Sequence, residues 1–265
     1  RGLQPGLETG WPSLDRHYSI SQESGELHIV TGIPGHGKSE FLDALMINLA
    51  KTEGWNIGLF SPENFPLEYH ASKLMEKYIG KPFSEGFKTR MDREELKIAK
   101  QWLDDHFSFL MPDENTLTIS SILDLAKILV YRRGIRALVL DPWNEVDHSR
   151  PPTMTETEYI SQSLTKIRRF ARTNNCHIFV VAHPFKMAKA DGKNYPCPSP
   201  YDISGSAHWR NKADNCIAVW RDISPENQTC EVEVHVQKIR KKHIGKLGMI
   251  KLRYEYSTGI YRDIL

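Results

Sequence analysis

Eight consecutive residues, Gly32-Ile33-Pro34-Gly35-His36-Gly37-Lys38-Ser39, fill every position of the pattern G-x-x-x-x-G-K-[ST]. Their flanks suit phosphate chemistry. Glu26 to Thr31 reads as a buried strand, and behind the loop Phe41, Leu42, Leu45, Met46 and Leu49 recur at helical spacing. A loop between a strand and a helix start offers free N–H groups and the positive end of the helix dipole, both of which favour an anion. Gly32, Gly35 and Gly37, with Pro34 among them, let the backbone come close to phosphate oxygens. Lys38 reaches the β- and γ-phosphates, Ser39 holds Mg²⁺, and Glu40 lies beside them in the first helical turn. The stretch is read as a site for ATP or another nucleoside triphosphate with Mg²⁺.

Other residues are of types that complete such a site. The apolar run Ile135 to Leu140 ends in Asp141, the Walker B pattern, whose carboxylate emerges near a bound metal. Asn56 to Ser61 makes a strand that ends in Pro62-Glu63-Asn64, and a carboxylate at such a tip is where a water-activating base sits. Taken alone, Glu63 reads more often as a solvated loop residue than as a base. The buried run Cys176 to Ala182 delivers His183 to the same sheet edge as Asp141. Lys186, Lys189 and Lys193 follow in an irregular stretch that runs to Pro200, and long loops in compact domains are usually functional. Asp202 to Ala207, with Ser204 and Gly205 at its centre, supplies small residues and backbone amides for close approach by a ligand.

The elements that position these residues follow from periodicity. A helical pattern runs from Leu67 to His106, with Leu74, Met75 and Tyr78 on one face and Leu96, Ala99, Trp102 and Leu103 on another. Phe107 to Met111 reads as a strand, and Ser121 with Asp124 fits a capping box opening a helix that Gly134 stops. Ile160, Leu164, Ile167, Phe170 and Ala171 mark a long helix whose Lys166, Arg168, Arg169 and Arg172 point mostly outward. Val232, Val234 and Val236 alternate in a strand from Glu231 to Lys238, and Met249 to Tyr254 returns. Between them Lys238, Arg240, Lys241, Lys242, His243 and Lys246 form a basic turn, which by itself reads as solvated charge.

Bulk properties set limits. A chain of 265 residues suits one large α/β domain, and a formal charge of +2 confines any nucleic-acid site to a local patch. Cys176, Cys197, Cys216 and Cys230 lack the C-x-x-C spacing of a zinc site or a disulfide framework, which fits a reducing compartment. No apolar run approaches a membrane span, and starting at Arg1 the chain reads as an excised domain, so a missing targeting peptide says nothing about compartment; the cysteine usage is that of a protein that is not secreted.

Together these stretches resemble the RecA-like motor of hexameric replicative helicases, the DnaB superfamily, and within it Twinkle and the primase-helicases. The resemblance runs nearly end to end, through GLETGWPSLD, GELHIVTGIPGHGKSEFLDAL, LFSPEN, GIRALVLDPWNEVDH, TETEYISQSLTKIRRFA, VVAHP, YDISGSAHWRNKADN and VQKIRKK. It implies a RecA-like P-loop core over 26–265, with a mostly parallel sheet flanked by helices and C-terminal antiparallel strands, after an approach segment over 1–25. It implies an ATP-driven 5′–3′ DNA helicase that translocates on single-stranded DNA, opens forked duplex DNA and works as a homo-oligomeric, hexameric ring beside a primase domain. The compartment implied is a mitochondrial or plastid nucleoid, or a bacterial or phage-infected cytoplasm. Position by position, Glu63 matches the catalytic base, Asp141 the Walker B acid, and His183 the polar γ-phosphate sensor. Arg240 matches the arginine finger given to a neighbouring subunit, with Lys238 beside it, and the loop from Lys186 to Gly205 matches the DNA-binding loop of the central channel. Pro62 departs from the family pattern, which usually has another residue before the base. A RecA- or KaiC-like ATPase that assembles without unwinding shares most of these patterns; the terminal hairpin and the YDISGSA loop favour the helicase.

Overall fold

The computed structural model describes residues 2–86, 88–111, 117–148, 150–189, 194–205, 207–224 and 229–264. Its strands are β1 (Leu27–Thr31), β2 (Asn56–Phe60), β3 (Phe107–Phe109), β4 (Ile135–Leu140), β5 (His177–Ala182), β6 (Asn215–Trp220), β7 (Glu231–Ile239), β8 (Gly248–Glu255) and β9 (Ile260–Asp263). They form one sheet in the order β3-β2-β4-β5-β1-β6-β7-β8-β9. The first six in that order pair in parallel, and β6 to β9 pair antiparallel. The mostly parallel sheet with C-terminal antiparallel strands is the architecture that the resemblance implies.

Helices cover both faces, so the parallel strands are apolar on both sides and show no alternation. Val30, Phe179 and Val181 pack with α2 (Lys38–Glu53), α3 (Leu67–Ile79) and α4 (Arg93–His106) on one face. Leu27, Ile29, Ile178 and Val180 pack with α5 (Ile119–Arg133), α6 (Glu156–Asn174) and α7 (His208–Lys212) on the other. The segment before β1, including the short helix α1 (Pro12–Asp15), joins the first of these cores. Trp11 stacks on Phe41 with ring centres 5.5 Å apart, and its Nε1 donates to the Tyr261 carbonyl at 2.9 Å.

Local rules place some boundaries differently from the periodicity. The 67–106 pattern splits into two helices, because Gly80 takes a left-handed cap with φ 80° and Asp92 opens α4 with its own capping box. The capping box of α5 is Thr118 with Ser121, one turn earlier than Ser121 with Asp124, and the Ser121 hydroxyl accepts from the Thr118 N–H at 3.0 Å. The third strand stops at Phe109 rather than Met111. Strand β6 escapes the sequence reading because a short apolar run without alternation is ambiguous between helix and strand. Its place beside β1 decides where the C-terminal hairpin sits. Among the described residues no helix is long and apolar enough to cross a membrane.

At the N-terminal edge of the parallel strands lies a buried polar chain. His177 donates from Nε2 to the Ser21 carbonyl at 3.0 Å, so its Nδ1 accepts from His28 Nε2, also at 3.0 Å. His28 Nδ1 in turn accepts from the Tyr18 hydroxyl at 2.7 Å and the Asn215 amide at 3.2 Å. Asn215 continues to Glu26 at 2.8 Å, which pairs with Lys241 at 3.2 Å. Glu26, His28 and His177 lie as close together as metal ligands, but every ring nitrogen is used by a hydrogen bond that requires neutral imidazoles. Burial, followed by the proximity of His177, holds His28 well below its usual value, and burial pushes His177 down to about 3.

These histidines make the fold acid-sensitive. Their folded-state values lie below the unfolded value of 6.5, so the unfolded chain takes up protons that the folded chain refuses. Their contribution is present above pH 6.5 and is lost as pH falls towards 3. From pH 7 to 5.5 the pair should cost roughly 2–3 kcal/mol of unfolding free energy. Burial raises the Glu26 and Asp141 carboxyls, which act in the opposite sense over this interval. The comparison of interest is therefore His177→Gln against wild type in denaturant titrations at both pH values. The variant should lose about 1 kcal/mol less than wild type across the interval; equal losses would remove His177 from the effect.

Candidate active site

The phosphate loop follows β1 at the C-terminal edge of the sheet and ends at Gly37, which caps α2 with φ 95°. A Cβ at Gly32 would meet the Val219 carbonyl at 2.4 Å, so glycine is needed for the loop to lie against β6. His36 is buried and its Nδ1 accepts the Arg221 N–H at 3.1 Å, a second tie to the end of β6. Lys38 is buried, and its Nζ donates to the Ile33 carbonyl at 3.2 Å. Burial pushes its ammonium down to about 8, partly opposed by the carboxylates of Asp141 and Glu63.

Asp141 leaves β4 beside it and is itself buried. Its carboxylate accepts from the Ser39 hydroxyl, and burial raises it to about 6. Oδ1 of Asp141 is buried without a partner among the described residues. An orphaned carboxylate oxygen beside a hydroxyl is a donor set that suits Mg²⁺, a hard cation that prefers oxygen. Ser39 and Asp141 would hold that ion.

Glu63 lies in the 3₁₀ turn Pro62–Asn64, directly after β2, and is exposed. Its charge acts on both Lys38 and Asp141. Pro62 opens this turn with its φ already set. The turn is tied to the phosphate-loop helix by a chain of polar contacts that nothing in the sequence pattern announces. Asn64 Nδ2 donates to Ser61 Oγ at 2.8 Å, Lys73 Nζ donates to Asn64 Oδ1 at 3.1 Å, and Lys73 also pairs with Glu40. Glu40 thus has its carboxylate engaged by Lys73 and, at 2.6 Å, by Lys77 of α3.

His183 follows β5 at the same edge. Its Nδ1 accepts from the Asn144 amide at 3.3 Å, which puts the ring proton on Nε2 as a free donor. Burial and the Lys38 charge push it down to about 4, so the ring is neutral. Asn144 has no sequence signal beyond its place near Asp141. The His183 carbonyl accepts the Ser204 N–H at 3.4 Å, and Pro184 bridges Ile203. The loop expected to bind DNA therefore begins and closes on His183, with a cavity of about 280 Å³ between Asn144, His183 and Ser204. Ser204 and Gly205 also accept, through their carbonyls, from Trp209 and Thr157 at 3.0 Å. Lys186 and Lys189 are exposed, Lys189 lying over the Tyr195 ring at 5.5 Å. Lys193 and Ser206 lie outside the described residues.

Lys238 and Arg240 are not brought to this edge. Cys216 pairs with Lys238 and Asn215 with Ile239, which sets both cations at the N-terminal end of β6. That end is about 20 Å from the phosphate loop, the length of a six-residue strand. Arg240 Nε pairs with buried Asp214 at 2.8 Å, and Lys238 Nζ donates to the Ala213 carbonyl at 2.7 Å.

The strand–loop–helix with its buried lysine, set in a parallel sheet, defines a P-loop nucleoside-triphosphatase domain of RecA-like fold. The chain belongs to the family described as DnaB-like helicase C terminal domain, which matches residues 6–263. The Twinkle homolog protein, chloroplastic/mitochondrial, of Arabidopsis thaliana is 45% identical over 268 residues, 99% of this chain and 37% of that protein. A probable plasmid replicative DNA helicase of Chlamydia psittaci is 26% identical over 259 residues, 96% of this chain and 55% of that protein. The chain thus spans about half the length, or less, of these curated relatives. In fold it is similar to a solved ATPase domain, with a TM-score of 0.81 at 17% identity, covering 100% of this chain and 93% of that one. It is also similar to a DnaB-like replicative helicase described with its interactions with primase, with a TM-score of 0.77 at 16% identity, covering 100% and 64%.

The Lys73 tether yields an expectation. Lys73→Met should leave nucleotide affinity within about twofold yet lower turnover on the order of tenfold, since a misplaced base loses rate rather than binding. Lys73→Arg should recover part of the loss. If affinity and turnover fell together in a titration and steady-state assay, Lys73 would belong to the packing of α3 instead.

Proposed function

We propose that this chain is the ATP-hydrolysing motor domain of a replicative 5′–3′ DNA helicase, working between neighbouring copies in a ring. The observation that carries this reading is the separation of the catalytic groups. Lys38, Ser39, Glu63, Asp141 and His183 meet at one sheet edge, while Arg240 lies at the opposite edge and cannot reach its own nucleotide. A finger so placed serves the site of an adjacent copy.

In that arrangement Lys38 holds the β- and γ-phosphates by charge-assisted hydrogen bonds. Ser39 and Asp141 would hold Mg²⁺, which would supply charge neutralisation of the phosphates. Glu63 orients the attacking water and accepts its proton. His183 donates from Nε2 to the γ-phosphate, and through its carbonyl bond to Ser204 ties the phosphate state to the loop that carries Lys186 and Lys189. Those lysines and the backbone near Gly205 grip the phosphates of single-stranded DNA without reading bases. The organellar name of the plant relative supports a mitochondrial or plastid nucleoid, and the likeness to a helicase described with primase supports a primase partner in the full-length protein.

The test is complementation between subunits. Glu63→Gln should bind ATP and hydrolyse it about 10² to 10⁴ times more slowly, and Arg240→Ala should fall by about 10³ to 10⁵. Mixing the two should restore turnover at interfaces where an intact Glu63 faces an intact Arg240, and wild-type specific activity should climb with protein concentration. Concentration-independent turnover with no rescue on mixing would overturn the reading. Strand displacement on a forked duplex by the full-length protein separates a helicase from an ATPase that only assembles on DNA.

A further inference from the structure

Beside the Arg240 anchor, α6 and α7 enclose a pocket of about 270 Å³ lined by Thr165, Arg168, Arg169, Arg172, Thr173 and Lys212. Four cations and two hydroxyls line it, and among the described residues no acidic side chain does. Beneath it, Asp214 Oδ1 receives Arg168 at 2.9 Å, Arg172 at 3.3 Å and Arg240 at 2.8 Å. Asp214 is itself fixed, its side chain 1% exposed and its Oδ2 accepting the Leu27 N–H at 3.1 Å. One carboxylate thus orients three guanidinium groups and neutralises only one of them. The Nε of Arg168 is buried with no partner among the described residues. Guanidinium groups held in a fixed array, with donors unspent and hydroxyls alongside, match the oxygens of a phosphate group.

We propose that this pocket is a second phosphoanion site, in which Arg168, Arg172 and Lys212 extend Arg240 and receive the terminal phosphates of the nucleotide bound to an adjacent copy. The identity of the occupant rests on the trans reading of Arg240; the site itself does not. Its own nucleotide is excluded, because Asp214 precedes β6 at the sheet edge opposite the phosphate loop. The shared Asp214 oxygen joins the pocket to the finger, so an anion bound by one is felt by the other. Asp214 acts as a positioning residue: it aims Arg240 by its Nε, the Ala213 carbonyl takes Nη2 at 3.3 Å, and Nη1 is left for phosphate.

Two arms test this. In the first, Lys38→Ala disables the chain's own phosphate loop, and inorganic tripolyphosphate is titrated calorimetrically. A weaker second site should remain, and Arg172→Ala with Lys212→Ala, both at partly exposed positions, should weaken it at least about tenfold with the circular dichroism spectrum unchanged. No binding to the Lys38→Ala chain, or binding indifferent to the double change, overturns the site. In the second arm, the Arg172→Ala, Lys212→Ala chain with an intact Lys38 is mixed with Glu63→Gln. Turnover low in each alone and restored on mixing supports the neighbour's nucleotide as occupant. Tripolyphosphate binding to the Lys38→Ala chain that the double change weakens, together with full turnover of the double variant that keeps Lys38, would assign the pocket to another phosphate source, such as a DNA backbone, and overturn the occupant. If mixing Arg240→Ala with Glu63→Gln gave no rescue, the trans reading itself would fail while the first arm still judged the pocket.

Discussion

A buried ammonium and a buried carboxylate, side by side and each short of partners, are the constraint on which this structure turns. Removing either charge from water is costly unless hydrogen bonds or an ion restore what solvation supplied. Lys38 keeps one carbonyl bond and Asp141 one hydroxyl bond, and both are displaced towards their neutral forms. A triphosphate with a cation would satisfy both at once. The scaffold has to hold the two groups there against their tendency to move into solvent. It does so with a parallel sheet buried on both faces, whose strands end together at one edge.

The same sheet separates the phosphate loop from Lys238 and Arg240. Parallel strands send every following loop to the C-terminal edge, so the phosphate loop, Asp141, Glu63 and His183 converge without further instruction. Once β7 turns antiparallel, its far end returns to the opposite edge and carries Lys238 and Arg240 with it. A single domain therefore presents a phosphate cradle on one edge and an array of guanidinium groups on the other. Head-to-tail contact between such edges is heterologous and closes into a ring when the rotation allows.

Supporting contacts set how firmly each half is held. Lys73 spans the gap between Glu40 and Asn64, so the turn that carries Glu63 is referenced to the helix that carries Ser39. At the other edge, the neutral chain from Ser21 through His177 and His28 to Asn215 binds the starts of β1, β5 and β6 to one another. Lys241 joins that chain through Glu26, which anchors the hairpin one residue beyond Arg240. Proton order satisfies both imidazoles of this network, while Oδ1 of Asn215 stays buried without a partner among the described residues.

The amino-acid sequence by itself determined the phosphate loop, the acid at the end of β4 and the histidine at the end of β5. Each depends on a local rule: an apolar run must end, and the polar residue after it emerges at the edge. It also marked Glu63 and Arg240, though only through the company they keep. Tertiary structure alone decided that β6 lies beside β1, that Glu40 is taken up by α3, and that Arg168 and Arg172 share a buried carboxylate with Arg240. It also decided where helices begin within a periodic stretch, as the earlier cap of α5 shows. The reason is physical. A strand's polarity and burial are written in its own few residues, but the partner of a charged side chain is chosen by which strands pair and in what register. Asp214 and Arg240 meet because Asn215 lies opposite Ile239, and that pairing is a property of the whole sheet.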